Sequence, residues 1–175
     1  MPVALLPLAV FATAQFVNGQ VLHPYALRTD LFGQDTPTRV GSPPTTLLLD
    51  SPTSRFIQET RRILETNGFR PGDDIFAFFN LPGLIYAVGG RSPVIPWYFG
   101  RIYVGNTIEE SYMQMAGSER RRQAWVITQA DAAFFRDHYR RGGLDFPDAY
   151  SVVGDLTNPS TAMEIKIWKR RQTAK

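Results

Sequence analysis

The run Ile75-Phe76-Ala77-Phe78-Phe79 is apolar at every position. Successive side chains on a strand point to opposite faces, so a strand of this kind needs cover on both sides. No other stretch constrains the fold as much, because helices must then flank one sheet from both directions. The rest of the chain supplies strands and helices in alternation. Thr46 to Leu49 reads as a short buried strand, with Ser51 or Thr53 capping a helix that admits Pro52 in its first turn. Phe56, Ile57, Thr60, Ile63 and Leu64 recur at helical spacing, and Asn67-Gly68 closes that helix. Glu59 with Arg62, and Arg61 with Glu65, are spaced to pair on its outer side.

Further along, Leu84 to Val88 reads as a short helix stopped by Gly89-Gly90. Pro93 to Tyr103 is rich in proline and aromatic residues and reads as a strand edge or an ordered loop. Thr107-Ile108-Glu109-Glu110 matches a capping box, with Ile108, Tyr112, Met115 and Ala116 as the buried stripe of the helix it opens. Ala124 to Thr128 is the next strand. Ala130 to Arg141 is the next helix, with Phe134, Phe135 and Tyr139 facing inward. Tyr150 to Gly154 and Met163 to Trp168 form a closing pair, antiparallel because the loop between them is short. The expected fold class is α/β: a small three-layer α/β/α sandwich, mostly parallel, with an antiparallel C-terminal edge. Residues 45–171 form this domain, 172–175 a tail, and 18–44, with glycine and proline and no sustained period, a connector.

Residues 1–17 stand apart. From Val3 to Val17 only Thr13 and Gln15 are polar. The stretch is shorter than the roughly 20 apolar residues of a bilayer span. Three readings fit it: the outer end of a transmembrane helix, a signal peptide with Ala12-Thr13-Ala14 as its small-residue site, or a buried N-terminal helix. The signal-peptide reading lacks a basic residue near Met1, and the buried helix must accommodate Pro7.

Composition narrows the chemistry. The chain has no cysteine, which removes disulfides, thiolate metal sites and cysteine nucleophiles. Its two histidines, His23 and His138, sit in unlike settings and make a poor metal pair. No phosphate-binding glycine motif and no G-x-S-x-G elbow occurs. The acidic clusters Asp73-Asp74, Glu109-Glu110 and Asp145 with Asp148 suit turns and a helix start. Basic residues gather at Arg120-Arg121-Arg122, Arg140-Arg141 and Lys169-Arg170-Arg171, each at the end of an element, where the first two complement helix dipoles. The net charge is +3. That is modest for a nucleic-acid binder, and the aromatic residues fall on buried faces, so nucleic acid is not an expected partner. Anionic headgroups suit the basic ends better.

The segments HPYALRTDLFGQDTPTRVG, LLLDSPTSRFI, GFRPGDDIFAFFNLPGLIYAVGGRSP and RRRQAWVIT lie between His23 and Arg171. Together they resemble the C-terminal soluble tail of bacterial multi-pass membrane proteins, the polyprenyl-phosphate-sugar-dependent glycosyltransferases and their uncharacterised relatives. The resemblance implies a domain that follows the last transmembrane helix on the periplasmic side, while the catalytic acid belongs to the membrane portion. It therefore implies no catalytic residue, metal or cofactor in this chain. The implied role is to position an acceptor, a glycan or a lipid-linked sugar, or to stabilise the membrane part. A free-standing α/β enzyme acting on a small polar substrate and a protein-interaction module are the alternatives. Where relatives tend to have a polar Thr-Gly turn before Pro-Gly, this chain has Phe78-Phe79-Asn80-Leu81. The pocket expected from the sequence comprises Asn80, Arg91 and Arg101 for anion or hydroxyl contact and Trp97 and Tyr98 for ring stacking. Gly83 lies at the helix start that follows the strand.

Overall fold

A computed structural model describes residues 5–22, 29–78, 81–94, 107–129 and 136–172. Helix α1 (Leu5–Val17) runs into a π-helical turn (Asn18–Leu22), and a 3-10 turn (Leu31–Gly33) follows. Strands β1 (Thr36–Val40) and β2 (Thr45–Leu49) form an antiparallel pair with Thr36 opposite Leu49 and Val40 opposite Thr45. The stretch read as a connector therefore contains a strand, with Thr38 and Val40 both buried and the Thr38 hydroxyl 2.7 Å from that of Ser54. Gly41, Pro43 and Pro44 sit in the turn between β1 and β2, and Pro37 is held within β1. Strand β2 is not buried as expected: Leu47 and Leu48, which point to opposite faces, are both exposed, so neither face of the strand is covered there.

Helix α2 (Ser51–Thr66) is capped by neither Ser51 nor Thr53. The Asp50 carboxylate caps it, accepting the Thr53 backbone N–H at 2.9 Å, with Pro52 in the first turn. Its buried stripe is Ser54, Ile57, Thr60, Ile63 and Leu64, so the expected spacing holds. Glu59 and Arg62 pair at 2.6 Å, whereas Arg61 turns instead to the Ala87 carbonyl. Gly68, at φ +93°, reverses the chain after Asn67.

The main sheet contains β3 (Ile75–Phe78), β4 (Trp125–Gln129), β5 (Tyr150–Thr157) and β6 (Glu164–Arg170), in the order β3-β4-β6-β5. Only β3 and β4 are parallel; β4 with β6 and β6 with β5 are antiparallel. The sheet is thus mixed rather than mostly parallel. The final strand enters between β4 and β5 and runs against both. Strand β3 lies at an edge of this sheet, yet each residue from Ile75 to Phe78 is buried.

Alternation sorts the sheet into two faces. Ile75, Ala77, Trp125, Ile127, Ile165 and Ile167 join one apolar cluster with side chains of α2 and of α3 (Pro82–Ala87). Phe76, Phe78, Val126 and Trp168 join the other with Met113 of α4 (Thr107–Met115) and Tyr139 of α6 (Arg136–Arg141). Tyr139 sits 4.5 Å from the Phe78 ring centroid, and Phe146 closes the aromatic group at 5.1 Å from Tyr139. Phe134 and Phe135 lie outside the described residues, as does most of Pro93 to Tyr103. Of the stripe expected for this helix Ala116 is buried, but Met115 is exposed and Tyr112 is at the margin, while Glu109 and Met113 are buried instead; the Ile108 side chain lies outside the described residues. Gly154 stands at a bulge in β5, where a β-carbon would meet Ile63 at 2.7 Å, so its lack of a side chain lets α2 approach the sheet.

Ile127 is fully buried at the centre of the sheet, opposite Ala77 on one side and Ile167 on the other. Replacing it with alanine removes packing that no neighbour can restore and is expected to cost about 3 kcal/mol. Urea denaturation checks this: the midpoint should fall with the slope unchanged.

Candidate functional site

Strands β3 and β4 run parallel, so both begin at one end of the sheet, and β6, antiparallel to β4, finishes there. Short helix α5 (Ser118–Gln123) delivers the chain to β4 at the same end, and the turn after α2 delivers it to β3. These segments enclose a cleft of about 560 Å³. Arg70, Arg91, Arg122, Lys169, Arg170 and Arg171 line it, against two carboxylates, Asp73 and Asp74.

The carboxylates have local duties. Asp73 accepts the Arg70 backbone N–H at 2.8 Å and shapes the turn, as the sequence suggested. Asp74 does more. Its side chain is only 8% exposed, and Arg120 grips it through two bonds of 2.7 Å. Arg91 donates a third bond of 2.9 Å to the same group. Burial alone would raise the Asp74 pKa, but the hydrogen bonds from Arg120 and Arg91 outweigh it and hold the carboxyl below its usual range. Around this clamp the backbone is stitched as well: Ile75 N–H to the Arg91 carbonyl, Arg91 N–H to the Asp73 carbonyl and Trp125 N–H to the Asp74 carbonyl, each 2.9 Å.

The basic clusters separate once folded. Arg120 belongs to the Asp74 clamp. Arg121 reaches the Gln114 carbonyl at 2.6 Å and the Gly143 carbonyl at 3.0 Å, and Arg122 pairs with Glu119. Arg170 pairs with Asp145 at 3.4 Å and lies over the Tyr150 ring. Burial pushes the Tyr150 phenol up to about 12, and its hydroxyl donates to the Ala124 carbonyl at 3.2 Å. Lys169 lies over Trp125, 5.6 Å from the ring centroid, and donates to the Asn67 carbonyl. Arg171 donates to the Asp148 carbonyl.

The pocket expected from the sequence does not assemble among the described residues. Gly83 lies in α3, after the carboxyl end of β3, and Arg91 lies beside Asp74 at the amino end. The two are thus at opposite ends of the strand. Asn80, Trp97, Tyr98 and Arg101 lie outside the described residues. Arg91 does line a cleft, but with partners the sequence did not assign to it: Arg70, Arg122 and the end of β6. The nearest sequence signal was the triplet Lys169-Arg170-Arg171, which carries more charge than the end of a strand requires.

A second polar cluster lies on the other face. His138 is buried, with Nε2 3.2 Å from Glu109 and Nδ1 3.2 Å from Glu110. Arg141 reaches Glu110 at 2.6 Å, and its hydrogen bond is the main reason that carboxyl is held below the usual range. His138 is a buried histidine held by side chains of α4. Glu109 and Glu110 meet a side chain as well as a helix start. Among the described residues, no group of three or more acidic or histidine side chains is arranged to hold a metal ion.

Comparisons with protein-family models, with curated proteins and with solved structures find no match to this chain.

Asp74→Asn is expected to lower stability at neutral pH by about 2 kcal/mol, a value reduced from the fully buried case because both arginines can rehydrate. The folded pKa of Asp74 is below its unfolded value, so its contribution is complete above about pH 4 and fades as pH falls through the folded value. Denaturation of both proteins between neutral and acid pH should show the gap between them narrowing toward acid.

Proposed function

We propose that this chain is a noncatalytic domain tethered at the extracytoplasmic (periplasmic) face of a membrane, serving the membrane part of a glycosyltransferase-like protein by positioning an acceptor or stabilising that part. The observation that carries the membrane reading is the surface of α1. Every residue from Pro7 to Gln20 is exposed. Leu8, Val10, Phe11 and Phe16 are each more than 60% exposed. At about 100° per residue these four side chains point to different sides of the helix. A helix that packs on its own domain needs one apolar stripe; apolar surface on all sides fits hydrocarbon better than a groove.

The same exposure argues against the third reading of residues 1–17, a helix buried in the domain. Over 13 residues α1 is about 20 Å long, less than the roughly 30 Å of a hydrocarbon core. No helix among the described residues is long and apolar enough to cross a membrane. The tether is accordingly read as entering one leaflet or as the end of a longer span. The resemblance of residues 23–171 supports the association with a glycosyltransferase-like protein. The two apolar clusters, one against each face of the sheet, support reading the body as a three-layer α/β/α arrangement.

Flotation with neutral phosphatidylcholine vesicles tests the tether. The full chain should float with the lipid. Phe11→Asp combined with Phe16→Asp should weaken partitioning by at least about a hundredfold, since an aspartate within hydrocarbon costs about 3 kcal/mol. The thermal transition of the body should stay in place. A full chain that remains with the soluble fraction would refute the reading.

A further inference from the structure

We propose that the basic cleft at the amino end of the β3–β4 pair is a binding site for phosphorylated ligands. Six cations line it against two carboxylates, and Asp74 is already neutralised by Arg91 and Arg120. Among the described residues, Arg70, Lys169 and Arg171 form no ion pair. All three line this one cavity, Arg70 from the turn after α2 and Lys169 and Arg171 from the far end of the sequence. Lys169 and Arg171 donate to backbone carbonyls, which leaves their formal charge uncompensated, and the Arg70 guanidinium has no bonding partner among the described residues.

A helix-end explanation accounts for only part of this charge. The ends of α2 and α5 lie at the cleft and together supply the equivalent of roughly one negative charge. The excess of cations over carboxylates is larger than that. A single surface anion would need one or two arginines, whereas the cleft volume of about 560 Å³ lies within the range of small-molecule sites. Guanidinium groups match phosphate oxygens in pairs, and phosphate carries more charge than a carboxylate. Several arginines around an open cavity therefore favour a ligand bearing one or more phosphoryl groups. Trp125, beneath Lys169 and edge-on to Phe69 at 5.9 Å, forms the apolar floor and provides a local fluorescent reporter. The phosphate can belong to a soluble metabolite or to an anionic lipid headgroup; both present the same chemistry to the cleft.

The test uses the full chain, with inorganic pyrophosphate as the soluble probe and vesicles of phosphatidylcholine, with and without phosphatidylglycerol, as the lipid probe. Calorimetry and tryptophan fluorescence should show saturable pyrophosphate binding. Arg70→Gln should weaken it about tenfold, the loss of one charge-assisted contact. That variant should melt with the wild type, since its side chain bonds to nothing described. Arg140→Gln, an exposed cation outside the cleft, should bind like the wild type. Extra affinity for phosphatidylglycerol vesicles that pyrophosphate displaces and Arg70→Gln diminishes assigns the phosphate to lipid. Pyrophosphate binding with no such preference assigns it to a soluble ligand. The proposal is overturned if pyrophosphate and phosphatidylglycerol both leave the protein unaffected, or if Arg70→Gln and Arg140→Gln weaken binding alike. Neutral vesicles report only on α1, so loss of the tether and loss of the cleft are seen separately.

Discussion

The buried carboxylate of Asp74 holds together the end of the molecule where the sheet begins. It follows a turn, precedes a fully apolar strand and lies against the helix that leads into the neighbouring strand. A charge in that place is expensive unless paired. Two arginines from different segments, Arg91 after α3 and Arg120 in α5, meet the requirement. In doing so they fix where β3 and β4 start relative to one another, together with the Trp125 to Asp74 backbone bond. Parallel registration of two short strands would otherwise rest on four residue pairs. The clamp also has an outward consequence. It absorbs one acidic charge at the cleft, and with Arg122 paired to Glu119 and Arg170 to Asp145, Arg70, Lys169 and Arg171 are left without an ion pair among the described residues.

What could be read from the sequence was whatever depends on near neighbours along the chain. The burial of Ile75 to Phe78 follows from their composition, the stripe of α2 from its spacing, and the antiparallel β5–β6 pair from its short connection. What escaped depends on the strand order. Nothing local says that β6 enters between β4 and β5, and that insertion makes the sheet mixed and leaves β3 at an edge. The error on α4 has a different origin. Tyr112 and Met115 looked like core because they are large and apolar, but the helix is turned by about one residue so that Met113 fills the space beside Gly142. That rotation also buries Glu109, with His138 of another helix 3.2 Å from its carboxylate. The cap of α2 was missed by a single residue: Asp50, just before Ser51, accepts the Thr53 N–H, and the Ser51 hydroxyl accepts from Arg55 instead.

The cleft was hidden for the same reason as the strand order. Arg70, Arg91, Arg122 and the Lys169-Arg170-Arg171 triplet occupy four separate stretches, and each has a plausible local role. Taken one at a time, a basic residue after a helix needs no further explanation. Only the adjacency of β4 and β6 brings the triplet beside Arg122 and the α2 turn. The site expected from the sequence lies at the opposite end of β3, where open α/β sheets commonly bind ligands beyond the carboxyl ends of their strands. That rule applies to a sheet of parallel strands. Here one parallel pair is followed by two antiparallel ones, so both ends of the sheet contain strand starts and strand finishes.

This difference explains why the cleft is built from side chains. At the carboxyl end of parallel strands, helices begin, and their free amides and positive dipole ends can hold an anion without any charged residue. At the amino end helices finish, presenting carbonyls and the negative end of the dipole. The α2 terminus does this here, with the Asn67 carbonyl turned toward Lys169. A site for anions in such a place gains nothing from the backbone and must first offset it. Cationic side chains in number are the only means the chain has, and arginine is the better choice because it stays charged and spreads its donors in a plane. The same count would be superfluous for capping two helices. The number of cations at the cleft therefore measures what the backbone at that end of the sheet fails to provide.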